Sequence, residues 1–83
     1  MHIQLKLFAS LADHLPPGAT RNEARIEVPD GASVQDVVER LGLSDEQAHL
    51  VMVNGVFVPC SLRREERLEA GDTVAIWPPV AGG

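Results

Sequence analysis

Alternating apolar and polar residues predict two strands in the first third of the chain, and an apolar run predicts a last strand near its C-terminal end. Residues 2–8 (HIQLKLF) and 22–28 (NEARIEV) place an apolar side chain at every second position, the period of a strand with one buried face. Thr73–Trp77 (TVAIW) is strongly apolar and predicts a final strand. Because Pro78 and Pro79 cannot donate to a sheet ladder, we expect this strand to end at Trp77.

A period of three to four residues predicts one main helix in the middle of the chain. Its apolar face consists of four residues at i, i+3, i+4 and i+7, namely Val34, Val37, Val38 and Leu41. Ser33 is the expected N-cap, Asp36 lies near the exposed N–H groups of the first turn, and Gly42 occupies the position of a left-handed C-cap.

Two shorter segments carry helical signals of their own. Residues 10–15 predict a short helix with Ser10 as its N-cap, ended by Pro16-Pro17-Gly18. Residues 44–47 repeat a capping pattern and predict one further helical turn.

A hairpin is the strongest local prediction in the second half of the chain. Leu50–Val53 and residues 56–58 are apolar and rich in valine, and Asn54-Gly55 joins them. Both central residues of a type I′ turn need a positive φ, which Asn and Gly tolerate. Residues 63–67 carry charges of both signs and predict a solvated loop, whereas Leu68 is expected to be a buried anchor.

The order of these elements predicts an α+β fold with a mixed sheet of about five strands, because one valine-faced helix must bury its apolar side against one face of a single sheet. If the first and last strands lie side by side in mid-sheet, the helix-bearing connection makes them parallel. This is the ubiquitin-like β-grasp arrangement. It divides the chain into a β-grasp domain, residues 1–77, and an extended, flexible tail, residues 78–83.

Composition excludes several classes of function. The 83 residues fit one domain with a thin core, which leaves no room for a deep preformed active site. The net charge is −5, with seven basic and twelve acidic residues, so no basic patch is expected for nucleic acid. Since no apolar run approaches a membrane span and no export signal is evident, a cytoplasmic location is expected.

Potential metal ligands are sparse. A single cysteine forms no intrachain disulfide, and Cys60 is expected to be a half-buried loop residue. Zinc needs about four ligands, and His2, His14, His49 and Cys60 lack the usual pair spacings. We therefore expect neither a metal site nor a cofactor bound by this chain.

The C-terminal segment carries the candidate chemistry. Residues 73–83 contain no charged side chain, so the segment could enter a narrow apolar channel without desolvating any charge except the terminal carboxylate. Pro78 and Pro79 stiffen its base, and Gly82 and Gly83 lack Cβ atoms, so a reacting group can approach the backbone closely. A carboxylate is a poor electrophile and would need conversion to an acyl phosphate or acyl adenylate.

No nucleotide-binding loop accompanies this tail in the sequence. Gly42 and Gly55 are isolated turn glycines, not parts of a phosphate-binding motif. Another protein would therefore supply the nucleotide chemistry, and this chain would be a substrate and carrier without catalytic activity of its own. The alternative is that a terminal Gly-Gly is only a frayed chain end.

Four segments resemble a known family. HIQLKLFASLA, VPDGASVQDVVERL, VMVNGVFVP and above all LEAGDTVAIWPPVAGG are similar to the small sulfur carriers, which include MoaD-like small subunits of molybdopterin synthase and ThiS-like thiamine sulfur carriers. Together these segments cover most of the chain. The most specific part combines the AGD turn, an apolar strand and PPVAGG in one register.

The resemblance implies a β-grasp fold and a cycle of activation and sulfur transfer. A MoeB/ThiF-like activating enzyme would use ATP to adenylate Gly83, and a sulfurtransferase would replace the adenylate to leave a C-terminal thiocarboxylate. In the molybdopterin branch, the tail inserts into the large subunit of molybdopterin synthase and passes sulfur to a pterin precursor. Gly82 and Gly83 match the functional pair of the family. The preceding tail residues match the part that docks in the partner: Pro78, Pro79, Val80 and Ala81.

The sequence has features of two branches of the family. WPPVAGG is typical of the molybdopterin branch, whereas NGVFVPCS is more typical of thiamine-type carriers, and SLADHLPPG lacks the Arg-Glu pair common in molybdopterin-type members. We expect the molybdopterin branch, with a thiamine-type or other sulfur carrier as the alternative. A ubiquitin-like modifier joined to lysine through Gly83 and a plain interaction domain with an idle tail are the competing functions.

Three aromatic residues are candidates for partner contacts outside the tail. Trp77, Phe8 and Phe57 either pack as ordinary core residues or form an apolar docking surface beside the tail. The arginines of residues 63–67 could pair with acidic groups of a partner, although a mixed charge run is usually a solvated surface.

Overall fold

The structure, a computed structural model, describes residues 1–79 as one sheet with a single α-helix on one face. The strands are β1 (His2–Leu7), β2 (Glu23–Glu27), β3 (Leu50–Val53), β4 (Val56–Phe57) and β5 (Thr73–Trp77). The helix α1 (Val34–Arg40) follows β2, and two 3₁₀ helices lie at Ala9–His14 and Cys60–Leu62. The predicted β-grasp fold is confirmed.

The five strands form a mixed sheet in the order β2-β1-β5-β3-β4. β1 pairs antiparallel with β2 and parallel with β5, as the crossover argument predicts. β3 pairs antiparallel with both β5 and β4. The strand β5 therefore lies in mid-sheet, and Pro78 follows it at the end of a central strand.

One face of the sheet and α1 enclose the core. The strands contribute seven buried side chains, those of Ile3, Leu5, Leu7, Ala24, Val51, Val74 and Ile76. From α1 come Val34, Val37 and Val38, all completely buried. Full burial of such side chains is worth roughly 1.5–3 kcal/mol each relative to exposure. Since α1 covers only this face, the opposite face of the sheet is left open.

The ends of α1 follow the predicted capping chemistry. The Ser33 hydroxyl accepts a hydrogen bond from the Asp36 N–H (3.1 Å), and the Asp36 carboxylate accepts one from the Ser33 N–H (2.9 Å). Gly42 has a φ of +74°, as a left-handed cap requires. The predicted turn after it is also present, with Ser44 and Gln47 bonded reciprocally. No helix within residues 1–79 is long and apolar enough to cross a membrane.

Predictions for three single residues are wrong. The first 3₁₀ helix begins one residue before Ser10, whose side chain does not cap it, because the Leu11 N–H donates to the Phe8 carbonyl (3.1 Å) in the tight 3₁₀ pattern. Cys60 is exposed, not half-buried, because it opens the second 3₁₀ helix at the surface. Arg63 is only 1% exposed, not solvated, because its guanidinium reaches inward to backbone carbonyls.

Candidate functional site

β5 ends at Trp77, and its last two carbonyl groups are held from the two neighbouring sides of the sheet. On the β1 side, the Phe8 N–H donates to the Ile76 carbonyl (3.1 Å). On the β3 side, the His49 N–H donates to the Trp77 carbonyl (3.1 Å). The ladder stops here, because Pro78 has no N–H to continue it.

Two residues of the predicted tail are described by the structure. Pro78 is half-buried against the domain and Pro79 is exposed. The predicted docking residues Val80 and Ala81, the predicted reactive pair Gly82 and Gly83, and the predicted extension and flexibility of the tail lie outside the described residues. Their roles therefore remain predictions.

An aromatic stack marks the base of the tail. Leu7 pairs with Ile76 in the parallel β1–β5 ladder, so the next residues along, Phe8 and Trp77, lie side by side on the open face. Their rings are parallel within 1°, with centroids 4.4 Å apart. Both side chains are half-buried. The two rings thus pack against each other outside the main core and keep a surface that a partner could contact.

The stack belongs to a larger apolar surface, which we call the open-face patch. It comprises the apolar side chains that alternate away from the core in β3, β4 and β5 together with Phe8, namely Phe8, Leu50, Met52, Phe57, Ala75 and Trp77. Met52 is paired with both Phe57 and Ala75, and Leu50 is paired with Trp77, so the patch is continuous from β4 to the tail. Phe57 is 52% exposed.

Charged residues border the open-face patch on its β1–β2 side. Ala75 is paired with Lys6, and Lys6 is paired with Glu23 in the next strand. The Lys6 ammonium lies 3.5 Å from the Glu23 carboxylate. The open face is therefore apolar over its tail-bearing half and charged over the other half, and a clustered apolar surface of this kind typically marks a docking site.

The arginines of the charged run occupy three different environments. Arg64 is exposed and forms an ion pair with Glu39 (3.3 Å), and Arg67 is exposed and donates to the Gly31 carbonyl (3.1 Å). The solvated surface predicted for these two is confirmed. Arg63 is instead buried, with Nη2 donating to the Ala48 carbonyl (2.6 Å).

Comparison with known proteins identifies the family. Residues 5–83 match the sequence model of the ThiS family. No curated protein sequence gives a significant match.

Solved structures share the whole fold. SAMP1 of Haloferax volcanii, small archaeal modifier protein 1, is 27% identical over all of both chains, with a TM-score of 0.68. A Pyrococcus furiosus protein assigned as molybdopterin converting factor subunit 1 is 28% identical over 95% of this chain and 98% of that one, with a TM-score of 0.66.

A third structure, the complex of subunits 1 and 2 of the molybdopterin-converting factor from Helicobacter pylori, is 17% identical over all of both chains. Its TM-score of 0.61 supports the fold alone. Taken with the β-grasp sheet and its mid-sheet strand β5, the match across residues 5–83 shows that the chain belongs to the ThiS family.

Proposed function

We propose that this chain is a sulfur carrier whose Gly83 carboxylate is activated by a partner enzyme and converted to a thiocarboxylate. One observation carries the proposal. The mid-sheet strand β5 ends at Trp77, within the open-face patch, and continues into the uncharged sequence PPVAGG. Membership of the ThiS family supports the same function.

The chain contributes a substrate and a docking surface, and the chemistry comes from its partners. A Gly83 carboxylate oxygen attacks the α-phosphorus of ATP bound by a MoeB/ThiF-like activating enzyme, which releases pyrophosphate and leaves an acyl adenylate. Hydrosulfide delivered by a sulfurtransferase then displaces AMP at the carbonyl carbon, which leaves the thiocarboxylate. Because Gly82 and Gly83 have no Cβ, both reagents can approach that carbon closely.

The open-face patch is the surface on which these partners dock. It is apolar, partly exposed and continuous with the base of the tail, so a protein seated on it would receive the tail directly. Aromatic anchors such as Trp77 and Phe57 are the residue types that dominate binding energy in interfaces. The charged half of the face, with the Lys6–Glu23 ion pair, would lie at the rim.

We further propose molybdopterin synthesis as the destination of the sulfur. The similarity to the Pyrococcus furiosus subunit 1 supports this branch. The large subunit of molybdopterin synthase is then the second partner, as subunit 2 accompanies subunit 1 in the Helicobacter pylori complex.

A second candidate function is a ubiquitin-like modifier joined to lysine amines through Gly83. The similarity to SAMP1, small archaeal modifier protein 1, over the whole of the chain favours it. Both functions require the same adenylation of Gly83 and differ only in the nucleophile that displaces AMP.

Intact-mass spectrometry separates these functions. With the activating enzyme, ATP and a sulfur donor, a carrier gains the mass difference between one sulfur and one oxygen atom, whereas a modifier gains the mass of a target protein. The control is the chain without Gly83, which keeps every described contact and should gain neither. Sulfur loading of the truncated chain would refute Gly83 as the site, and an unmodified full-length chain would refute both functions. A stable complex with a molybdopterin synthase large subunit would assign the branch.

A further inference from the structure

Arg63 is a buried cation whose position is not explained by core packing. Its side chain is 1% exposed, and Nε and Nη1 have no hydrogen-bond acceptor within residues 1–79. The ion pairs found in that part of the chain involve Met1, Lys6 and Arg64 instead. A guanidinium buried in this way is costly, and a hydrophobic side chain of similar volume would fill the space at least as well.

The nitrogen of Arg63 that does donate reaches two successive backbone carbonyls beside the end of β5, and the shorter hydrogen bond is to Ala48. Nη2 donates to the Ala48 carbonyl (2.6 Å) and more weakly to the His49 carbonyl (3.4 Å). The Ala48 carbonyl and the His49 N–H belong to the same peptide group, and this N–H donates to the Trp77 carbonyl (3.1 Å). A charged donor at one end of an amide polarises it, which strengthens the hydrogen bond made at the other end.

This series of hydrogen bonds ends on the peptide group that starts the tail. The Trp77 carbonyl lies in the same plane as the Pro78 nitrogen, because the peptide group is planar. Holding that carbonyl therefore fixes the direction in which the chain leaves β5. Phe8 holds the preceding carbonyl, that of Ile76 (3.1 Å), and so does not act on this plane directly.

We propose that Arg63 is a positioning residue that sets the direction of the tail through the Ala48–His49 peptide group. The proposal rests on the proposed function, since direction matters only if a partner must receive Gly83. Arg63 takes no part in the chemistry. A correctly directed tail loses less conformational entropy when a partner binds it, so the role of Arg63 is to favour productive docking.

Amide hydrogen exchange on the full chain tests the first step without any partner. The His49 and Asn54 N–H groups flank β3 and donate to opposite ends of β5, to Trp77 and to Thr73. In Arg63→Met we expect exchange at His49 to rise by about tenfold relative to Asn54, since a local opening changes one end only. Arg63→Lys, which keeps a charged donor, should restore part of this protection, and the exposed-site control Arg64→Met should change neither amide. Equal acceleration at both ends, or none at His49, would overturn the proposal.

Steady-state adenylation by the activating enzyme tests the second step. We expect Arg63→Met to raise KM by about fivefold with kcat nearly unchanged, because docking and not chemistry is impaired, while Arg64→Met resembles the original chain. Unchanged KM in a variant that has lost His49 protection would refute the positioning role. Failure of the original chain to be adenylated would refute the proposed function and this role with it, whereas the exchange result would still decide whether Arg63 holds Trp77.

Discussion

At the scale of single residues, Asn54 connects two turns that are far apart in the sequence. Its φ is +51° and that of Gly55 is +83°, so the predicted type I′ hairpin turn is confirmed. Its side-chain amide donates to the Asp72 carboxylate (3.0 Å) and accepts from the Thr73 N–H (2.9 Å). The Asn-Gly turn and the Gly-Asp turn before β5 therefore form one hydrogen-bonded unit that fixes where β5 begins.

Two substitutions at Asn54 separate these contributions. Asn54→Gly keeps a residue that tolerates positive φ but removes the side-chain hydrogen bonds, and we expect a loss of about 1 kcal/mol in the free energy of unfolding. Asn54→Ala also imposes left-handed strain, which should cost about 1 kcal/mol more. Urea denaturation measures both. Equal stability of Asn54→Gly and the original chain would show that the bridge to Asp72 and Thr73 contributes nothing.

Single residues are also where prediction from sequence fails most clearly. Arg63 lies in a run of charges, and its burial depends on the Ala48 carbonyl, which only the tertiary fold brings close. Ser10 is a residue type that favours the N-cap position, but the Leu11 N–H donates its hydrogen bond to the Phe8 carbonyl, so the helix begins before Ser10. In each case the environment of the residue depends on a hydrogen bond to a backbone carbonyl, and the local sequence pattern does not indicate which carbonyl accepts it.

At the scale of elements, the start of α1 combines burial and capping. Ser33 is buried and exchanges two hydrogen bonds with Asp36, so its hydroxyl satisfies an N–H group that would otherwise be orphaned. We expect Ser33→Ala to lower the free energy of unfolding by about 1 kcal/mol. Urea denaturation checks the value, and Ser44→Ala, at the exposed capping pair, is the control with a smaller expected loss.

The same cap makes stability depend on pH. The Ser33 backbone N–H, followed by its hydroxyl, holds the pKa of the Asp36 carboxyl below its usual range. A carboxylate with a lowered pKa in the folded state stabilises the fold fully above its unfolded pKa of about 3.9, and this contribution is lost as pH falls through the folded value.

Asp36→Asn should therefore be less stable than the original chain at pH 7. The difference should begin to shrink below about pH 4, where the unfolded carboxyl takes up a proton while the folded one is still ionised, and it should vanish as the pH falls through the folded pKa. Chemical denaturation from neutral to acidic pH measures it. Asp13→Asn, an exposed aspartate of the first 3₁₀ helix, is the matched control. A difference independent of pH would contradict the role of the ionised Asp36.

Elements were predictable because each repeats a local rule several times. Every second residue of β1 is apolar and the three valines of α1 share one face, so a single exception does not erase the pattern. The ends of elements depend on one or two contacts. Accordingly β4 ends at Phe57, one residue short of the predicted limit, although the Val58 N–H still donates to the Val51 carbonyl (2.9 Å).

At the scale of the whole molecule, topology follows from few rules, whereas the open-face patch depends on register. Parallel pairing of β1 and β5 was predictable from the crossover through α1. Trp77, Phe8 and Phe57 could be named as candidates because they are the three aromatic residues of the sequence, although the sequence left open whether they pack in the core. Leu50 and Met52 belong to an apolar run that equally suits a core, and only their pairing with Trp77 and Phe57 places them on the open face.

The two residues of β4 provide the sharpest test of that face. Phe57 belongs to the open-face patch, whereas its neighbour Val56 points to the opposite face, and they are 52% and 67% exposed. Because both are exposed, Phe57→Ser and Val56→Ser should each lower the free energy of unfolding by only about 1 kcal/mol or less.

If partners dock on the patch, Phe57→Ser should weaken binding to the activating enzyme or the large subunit by about tenfold, and Val56→Ser should leave it nearly unchanged. Calorimetric titration of each variant measures this difference. Equal losses in both variants would assign docking to the β4 edge instead of the open face, and no loss in either would remove β4 from the interface.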